Sequence, residues 1–295
     1  MRIGVDLGGT KIEAVALDRQ GEIAVRHRLP TPQDDYAATL DTIAGLVARI
    51  EAEVGTGCTV GVGTPGALSP ATGLMKNANS TCLIGQPLDR DLARVLARPV
   101  RIANDADCFA LSEATDGAGR GARSVFGVIL GTGVGGGLVW QRQIIHGPNA
   151  IAGEWGHNPL PWPRDDERPG PACYCGKQGC IEAFLSGPAI STAYARSHGC
   201  LRPPAAITDD LFWHGYADRL ARALAHVINV FDPEVIVLGG GVSNVARLYD
   251  DVPARLPAWV FSDHVATRLA QAVHGDSSGV RGAAWLWPQN DDTGR

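Results

Sequence analysis

The feature that most constrains the fold is a succession of strand, glycine turn, strand, turn and strand that occurs twice along the 295 residues. In the first half, the strands and turns fall at 2–7, Gly8-Gly9-Thr10, 12–18, Arg19-Gln20-Gly21 and 22–28. In the second half, they fall at 124–130, Gly131-Thr132-Gly133, 137–140 and 141–145, the last being a turn into a third strand. Any two β-meanders share this order, but the repetition favours a duplication, with two similar halves facing each other across a cleft.

The rest of the chain alternates helical and strand patterns, which predicts an α/β protein. Helices are expected near 35–53, 88–96, 105–114, 220–231 and 278–287, and strands near 58–63, 100–103 and 235–238. A further helix, capped by Ser243 or Asn244, is expected after the glycines at 239–241. The predicted division is an N-terminal lobe of residues 1–115, completed by a C-terminal helix at 278–295, and a C-terminal lobe of residues 116–277.

Charge and hydropathy exclude several classes of function. The net charge is −5 and there is no basic block, so nucleic-acid binding is not indicated. The longest apolar stretches, such as Val235–Leu238, have the length of a strand, so no membrane span is expected. The N-terminus leads into a strand without a secretory pattern, and we therefore expect a cytoplasmic protein.

Three glycine turns are suited to a nucleotide. After the first strand and Asp6, Gly8 and Gly9 allow backbone N–H groups to approach phosphate, Thr10 adds a hydroxyl donor, and Lys11 follows. Asp6 is a candidate ligand for Mg²⁺, directly or through water. No helix follows this turn, so it is neither a P-loop nor a Rossmann motif.

The second turn has five glycines in the seven residues 131–137, which would weaken a purely structural strand. Its candidate phosphate-binding residues are Gly131, Thr132, Gly133 and Gly135. A third group, Gly239, Gly240 and Gly241, lies between a strand and a predicted helix and could pack against an adenosine. Ordinary turn chemistry is the alternative for each turn alone, but the three together predict that ATP is bound.

Asp105 lies where a predicted strand meets a helix, so its carboxylate is expected at the rim of a sheet. Transfer of a phosphoryl group to an alcohol needs a group that accepts the hydroxyl proton. Taken alone, the residue is better explained by capping of its own helix. Polar residues elsewhere favour the catalytic role, because fixed carboxylates and amides recognise sugar hydroxyls. The candidate sugar-binding residues are Thr64, Pro65, Gly66, Asn79, Asn104, Asp105, Glu154, His157 and Glu182.

Three of the seven cysteines cluster after a histidine. His157, Cys173, Cys175 and Cys180 supply one imidazole and three thiolates, a set that suits tetrahedral Zn²⁺. Three buried thiols are the alternative. Four protein ligands leave no open position, so a structural zinc in the loop 157–180 is predicted, holding His157 and Glu154 in place for the sugar.

Together these segments resemble the ROK family of sugar kinases and repressors over nearly the whole chain. The motifs are DLGGTK at 6–11, TPG at 64–66, NDA at 104–106, LGTGVGGG at 130–137, GEWGH at 153–157, CYCGKQGCIE at 173–182 and GGG at 239–241. The resemblance implies an actin-like ATPase-domain fold of the ribonuclease H-like kind, duplicated as two lobes around a cleft. It also implies Asp105 as general base, sugar contacts from the polar set, zinc on the four ligands named above and a homodimer.

Three segments are most similar to bacterial fructokinases of the manno(fructo)kinase kind, at 76–81, 153–162 and 274–287. The expected reaction is therefore ATP- and Mg²⁺-dependent conversion of D-fructose to fructose 6-phosphate. N-acetylglucosamine kinases and glucose or mannose kinases of the family share the core motifs and are the alternatives. A sugar-responsive regulator would carry a helix-turn-helix before the first strand, which here begins at residue 2.

Overall fold

The protein is described by a computed structural model that covers residues 1–78 and 80–288. In these ranges the strands are β1 (Arg2–Leu7), β2 (Lys11–Leu17), β3 (Ile23–Pro30), β4 (Thr59–Thr64), β5 (Ala67–Leu68), β6 (Met75–Lys76), β7 (Val100–Asn104), β8 (Ser124–Leu130), β9 (Val134–Trp140), β10 (Gln143–Ile144), β11 (Val235–Gly239) and β12 (Arg268–Gln271). The α-helices are α1 (Tyr36–Val54), α2 (Leu88–Val95), α3 (Asp105–Thr115), α4 (Glu182–Leu185), α5 (Gly187–His198), α6 (Asp210–Phe231), α7 (Leu248–Asp251) and α8 (Ser278–Trp285).

The two large sheets have the same topology. The first has the strand order β3-β2-β1-β4-β7 and the second has the order β10-β9-β8-β11-β12. In each sheet, the three strands of the meander pair antiparallel. The fourth strand (β4 or β11) pairs parallel to the first strand of the meander, and the fifth (β7 or β12) pairs parallel to the fourth. The duplication predicted from the sequence is therefore confirmed.

Helices α3 and α8 lie between the two sheets and pack against each other. α8 covers β1 and β4, whereas α3 covers β8 and β9. Glycines permit this close packing: a Cβ on Gly282 would lie 1.7 Å from the carbonyl oxygen of Cys108, and one on Gly4 would lie 2.0 Å from that of Val280. The division of the chain at residue 116 stays a prediction, and α3 packs on the second sheet although it precedes that residue.

The apolar core follows this layering. One cluster lies beneath the first sheet against α1 and α2, and a larger one joins the second sheet to α6. A third includes Phe109 and Leu111 of α3 and Val280 of α8, together with residues of both sheets. This packing fixes the strand ends of both sheets on either side of α3, where the candidate functional site lies.

Two sequence-based predictions of secondary structure are wrong. The glycines at 239–241 lead into a 3₁₀ turn, Gly241–Asn244, and not into a helix capped by Ser243 or Asn244. Ser243 donates its hydroxyl to the carbonyl of Gly240 at 2.7 Å, which closes the turn, and the helix α7 begins only at Leu248. Strand β9 begins at Val134 and not at residue 137, because its glycines pair with β8.

Candidate active site

A cleft with a volume of about 820 Å³ opens at the carboxyl ends of β4, β7 and β8. Ends of parallel strands are the usual place for ligands in α/β folds, because the following turns converge there. Seven of the predicted sugar-binding residues line this cleft: Pro65, Gly66, Asn104, Asp105, Glu154, His157 and Glu182. Thr64 is fully buried at the end of β4 and does not line it. Asn79 lies outside the described residues.

A smaller cavity of about 270 Å³ lies on the other side of Asp105. Asp105, Pro65 and Ile129 line both cavities. The smaller cavity is also lined by Asp6, Gly8, Gly9, Phe109, Gly240, Gly275, Asp276 and Gly279. Asp105 therefore lies at the junction between a polar cleft and a glycine-walled cavity.

The remaining predicted nucleotide residues do not share that cavity. Gly131, Thr132, Gly133 and Gly135 line the larger cleft instead. The described residues that line the two spaces do not include Thr10, Lys11, Gly239 or Gly241. The ammonium group of Lys11 lies 3.8 Å from the carboxylate of Glu13. A Cβ on Gly239 would lie 2.4 Å from the ring of Phe109, so that glycine makes room for α3.

Two glycines of the second turn have the same structural reason. A Cβ on Gly136 would lie 2.8 Å from the indole of Trp155, and one on Gly137 would lie 2.6 Å from the carbonyl oxygen of Ala106. Because these two residues have no side chain, β9 can lie against Trp155, two residues before His157, and against α3. Packing is therefore a second reason for glycine at these two positions, beside the ligand approach that the sequence predicts and that stays a prediction.

Asp105 is the first residue of α3, and Asn104 is its N-cap. The backbone N–H of Ala106 is 2.8 Å from Oδ1 of Asn104 and 2.8 Å from Oδ1 of Asp105. The capping alternative is thus realised by both residues, but it uses one oxygen of the Asp105 carboxylate. Nδ2 of Asn104 donates to the carbonyl of Gly66 at 3.1 Å, which ties the turn after β4 to the start of α3.

The electrostatics of Asp105 suit an acid–base group. Its surface is open to the cleft, yet it lies deep between the two sheets. Desolvation by the surrounding protein, with a further contribution from Glu154, raises its pKa to about 6. A general base works best when its pKa is near the operating pH. Asp105 is therefore charged at neutral pH but is a stronger base than an ordinary aspartate.

Asp6, at the end of β1, has a related environment. Burial first, and then the charges of Asp105 and Glu13, raise its pKa to about 6. Carboxylates that disfavour each other's charge are typical of a site completed by a cation. Oxygen ligands of this kind are those that Mg²⁺ prefers.

Four donor atoms form a compact cluster beside the cleft. The ligand atoms of His157, Cys173, Cys175 and Cys180 all lie within 4.8 Å of one another. Sγ of Cys173 is 3.6 Å from Nδ1 of His157, and the sulfurs of Cys175 and Cys180 are 3.6 Å apart. Atoms about 2.3 Å from a tetrahedral zinc are separated by about 3.8 Å, so these residues fit the metal. Nε2 of His157 meets the hydroxyl of Tyr174 at 3.0 Å.

Glu182 follows the last cysteine and connects this cluster to the second glycine turn. Its Oε2 accepts a hydrogen bond from the backbone N–H of Val134 at 2.9 Å. A Cβ on Gly133 would lie 2.7 Å from the same oxygen. The absence of a side chain at residue 133 leaves room for the Glu182 carboxylate.

The start of the cysteine loop is held by a buried arginine. Arg222 of α6 has no exposed side-chain surface, and its guanidinium donates to the carbonyl of Trp162 at 2.8 Å. It also pairs with Glu167 at 2.8 Å, and this pairing and other hydrogen bonds lower the pKa of Glu167 to about 2 against the opposing effect of burial. Residues 161–167 are thus anchored independently of the cysteines.

Sequence reasoning missed the residues that complete the smaller cavity from the start of α8. Gly275, Asp276 and Gly279 lie there, and the fully buried Glu113 of α3 holds the preceding loop. Its carboxylate accepts hydrogen bonds from Val273 N (3.1 Å), His274 N (3.3 Å), Ser278 Oγ (2.8 Å) and Ala118 N (2.9 Å). The signal available in the sequence was Glu113, a charged residue near the end of the predicted helix 105–114.

Two sheets of identical order, with α3 and α8 between them and an aspartate of raised pKa at the cleft, define an actin-like ATPase fold. The profile of the ROK family matches residues 2–290. The chain belongs to the ROK family and is an ATP-dependent sugar kinase, a class that uses Mg²⁺ with the nucleotide.

Known relatives cover essentially the whole chain. The N-acetyl-D-glucosamine kinases of Vibrio vulnificus (strain YJ016) and Vibrio cholerae (serotype O1, El Tor Inaba N16961) are 40% and 41% identical over 299 residues, which is 97% of this chain and 99% of each relative. The ROK hexokinase from Thermus thermophilus superimposes with a TM-score of 0.85 at 29% identity, with 99% of both chains covered. The fructokinase type expected from the sequence is not supported by these relatives.

A second solved structure is the ROK family glucokinase from Streptomyces griseus in complex with glucose and AMPPNP. It has a TM-score of 0.77 and 27% identity, and the match covers 97% of this chain and 98% of that one. Within the described ranges of the present chain, no helix is both long and apolar enough to cross a membrane.

Proposed function

We propose that this kinase transfers the γ-phosphate of ATP to the C6 hydroxyl of N-acetyl-D-glucosamine, with Asp105 as the general base. The observation that carries the proposal is the position of Asp105, which lines both the polar cleft and the glycine-walled cavity. A sugar in the first space and a triphosphate in the second would meet at this carboxylate. The N-acetylglucosamine kinases with about 40% identity support the choice of sugar.

The remaining roles follow from the linings of the two spaces. In the polar cleft, Asn104, Glu154, His157 and Glu182 hold the sugar hydroxyls. In the smaller cavity, Gly8, Gly9 and Gly240 offer backbone to the phosphates, and Asp6 holds Mg²⁺ directly or through water. Phosphoryl transfer is catalysed chiefly by positioning and by neutralisation of charge, and this arrangement supplies both.

The proton of the C6 hydroxyl has one obvious acceptor. Oδ1 of Asp105 is engaged by the N–H of Ala106, which orients the carboxylate and leaves Oδ2 for the hydroxyl. As the oxygen–phosphorus bond forms, the proton passes to Asp105, whose raised pKa makes this transfer more favourable.

The four-residue cluster would hold a structural zinc. The chemistry of one imidazole and three thiolates favours this metal over Mg²⁺ or Ca²⁺, which prefer oxygen. Zinc fixed there would orient His157 and would hold Glu182, two residues beyond Cys180, against the second glycine turn. It would supply no open coordination position for chemistry.

Fructose is the second candidate. The segments at 153–162 and 274–287 resemble those of manno(fructo)kinases, and residues of both segments line the two spaces, among them Glu154, His157 and Asp276. The hydroxyl that is phosphorylated would again lie at Asp105.

A coupled ADP-release assay with N-acetylglucosamine, fructose, glucose and mannose tests the proposal, and ³¹P NMR of the product gives the phosphorylated position. We expect the highest kcat/KM with N-acetylglucosamine and a 6-phosphate product. A highest kcat/KM with fructose would favour the second candidate. ADP release that does not increase with any of the four sugars would reject both.

A further inference from the structure

A third cavity, of about 230 Å³, opens from the polar cleft, and we call it the side pocket. It shares Asn104, Gly136 and Glu154 with the cleft. Among the described residues, none lines both the side pocket and the smaller cavity that we assign to the nucleotide. Asp105 does not line the side pocket. The side pocket is therefore reached from the sugar site on a side that the nucleotide does not use.

The side pocket has a mostly apolar wall. The wall is formed by Ala67, Leu68, Ile102, Ala150, Ile151 and Ala152. Ile151 of this wall is 46% exposed, so it presents apolar surface to the side pocket. A small apolar group of a ligand would cover this surface.

The side pocket also contains an unsatisfied acceptor. Asp107 lines it and is only 8% exposed. Nδ1 of His146 lies 3.6 Å from its Oδ2, but within the part of the chain that the structure describes, its Oδ1 has no hydrogen-bond partner. Oδ1 is enclosed by protein, but the Asp107 carboxylate lines the side pocket and keeps acceptor capacity for a donor from a ligand.

The covalent structure of a hexopyranose limits which substituents can face this side. C6 is attached to C5, and C2 is directly across the ring from C5. With the C6 hydroxyl at Asp105, the substituent on C2 points away from the nucleotide cavity. A 2-acetamido group carries one N–H donor and one methyl group, whereas a 2-hydroxyl group would leave the apolar wall uncovered.

We propose that the side pocket binds the 2-acetamido group of the sugar. The Asp107 carboxylate accepts the amide N–H, and the acetyl methyl group packs against the wall formed by Leu68, Ile151 and Ala152. Asp107 and the alanines of the wall are thus determinants of specificity for N-acetylhexosamines over simple hexoses. This inference rests on the proposed function, and it names residues that select the sugar substrate.

The test compares kcat/KM for N-acetylglucosamine with kcat/KM for glucose, which carries a hydroxyl on C2. Ala152→Leu fills the side pocket, and Asp107→Ala removes the acceptor. We expect each variant to lower the ratio of the two kcat/KM values by about tenfold or more, the scale on which pockets discriminate single groups. Ala52→Leu, on the exposed face of α1, is the control for added bulk and should keep the wild-type ratio.

The outcomes separate the two proposals. Wild-type enzyme that does not phosphorylate N-acetylglucosamine overturns the proposed function and this inference with it. Wild-type enzyme that is active on this sugar, with a ratio unchanged in folded Ala152→Leu protein, overturns the side pocket alone. Circular dichroism and thermal melting of both variants establish that they are folded, and the wall variant keeps the test decisive if Asp107→Ala does not fold.

Discussion

Oε2 of Glu182 accepts a hydrogen bond from the backbone N–H of Val134, at 2.9 Å, and this bond joins the cysteine cluster to the second glycine turn. Glu182 lies two residues after Cys180, a member of the cluster. Any change in the cluster is therefore transmitted to the wall of the polar cleft. The same carboxylate lines that cleft, so the connection reaches the proposed sugar site.

Loss of the metal ligands should accordingly weaken sugar binding more than nucleotide binding. We expect metal analysis of protein purified without chelator to give about one zinc per chain, since the described residues contain one such four-ligand set. Cys180→Ser should lower the zinc content and raise KM for the sugar at least severalfold, with a smaller change in KM for ATP.

Cys200→Ser is the matched control, because Cys200 is exposed and lies outside the cluster. It should retain zinc and wild-type kinetics. Arg222 anchors residues 161–167 independently, so Cys180→Ser should leave the rest of the fold intact. Wild-type protein without zinc, or equal effects of the two cysteine variants, would contradict the structural role of the metal.

Glu113 should control the nucleotide site without touching it. It accepts four hydrogen bonds, three of which hold residues 273–278 beside the smaller cavity. Glu113→Gln keeps the size of the side chain but replaces one acceptor oxygen with a donor, and unsatisfied buried groups cost about 1–3 kcal/mol each. We expect a lower melting temperature and a higher KM for ATP, with KM for the sugar nearly unchanged.

An exposed glutamate in a strand-flanking turn, Glu22, provides the control substitution Glu22→Gln, which should change neither constant. If Glu113→Gln raised both KM values equally, the carboxylate would be supporting the whole fold and not the loop at 273–278.

The pH profile should reflect the raised pKa of Asp105. The base accepts a proton only when it is deprotonated, and with a pKa of about 6 the active fraction falls about tenfold per pH unit below that value. We therefore expect kcat/KM for the sugar to be constant near neutral pH and to fall below about pH 6. An ordinary aspartate would keep full activity down to about pH 4.

Asp6 should cause a second loss of activity at acidic pH, which can be distinguished from the loss caused by protonation of Asp105. Its pKa is also raised to about 6, and a bound cation favours the charged form. Raising the Mg²⁺ concentration should shift the contribution of Asp6 to lower pH while leaving that of Asp105 in place. A profile that is flat to pH 4.5 at all Mg²⁺ concentrations would contradict both assignments.

The repeat of strand and glycine turn was sufficient to predict the two-lobed fold. Strand spacing and the helical pattern are local properties, and β1, β8, α1 and α3 lie within one or two residues of their predicted positions. The convergence of Asn104, Glu154 and Glu182 in one cleft was also predicted, since each belongs to a recognisable motif.

What could not be predicted depends on packing between distant segments. The space around Gly136 and Gly137 is taken by Trp155 and α3, which only the folded chain brings there. Strand β12 was not recognised because it is short and pairs with β11 across more than 25 residues. The hydrogen bonds of Glu113 to the loop before α8 are likewise invisible in local sequence.

The central claim is that the carboxylate of Asp105 accepts the proton of the sugar hydroxyl. Asp105→Asn preserves the size of the side chain and the oxygen that accepts from Ala106, but the amide cannot take up the proton. Asp250→Asn, at an exposed position in α7, is the control for loss of one negative charge.

The decisive measurement is single-turnover phosphorylation of N-acetylglucosamine by Asp105→Asn, with sugar affinity determined in parallel by calorimetry. We predict that the rate falls on the order of 10²–10⁴-fold while the Kd for the sugar stays close to that of the wild type. A rate close to that of the wild type, with sugar bound normally, would contradict the account.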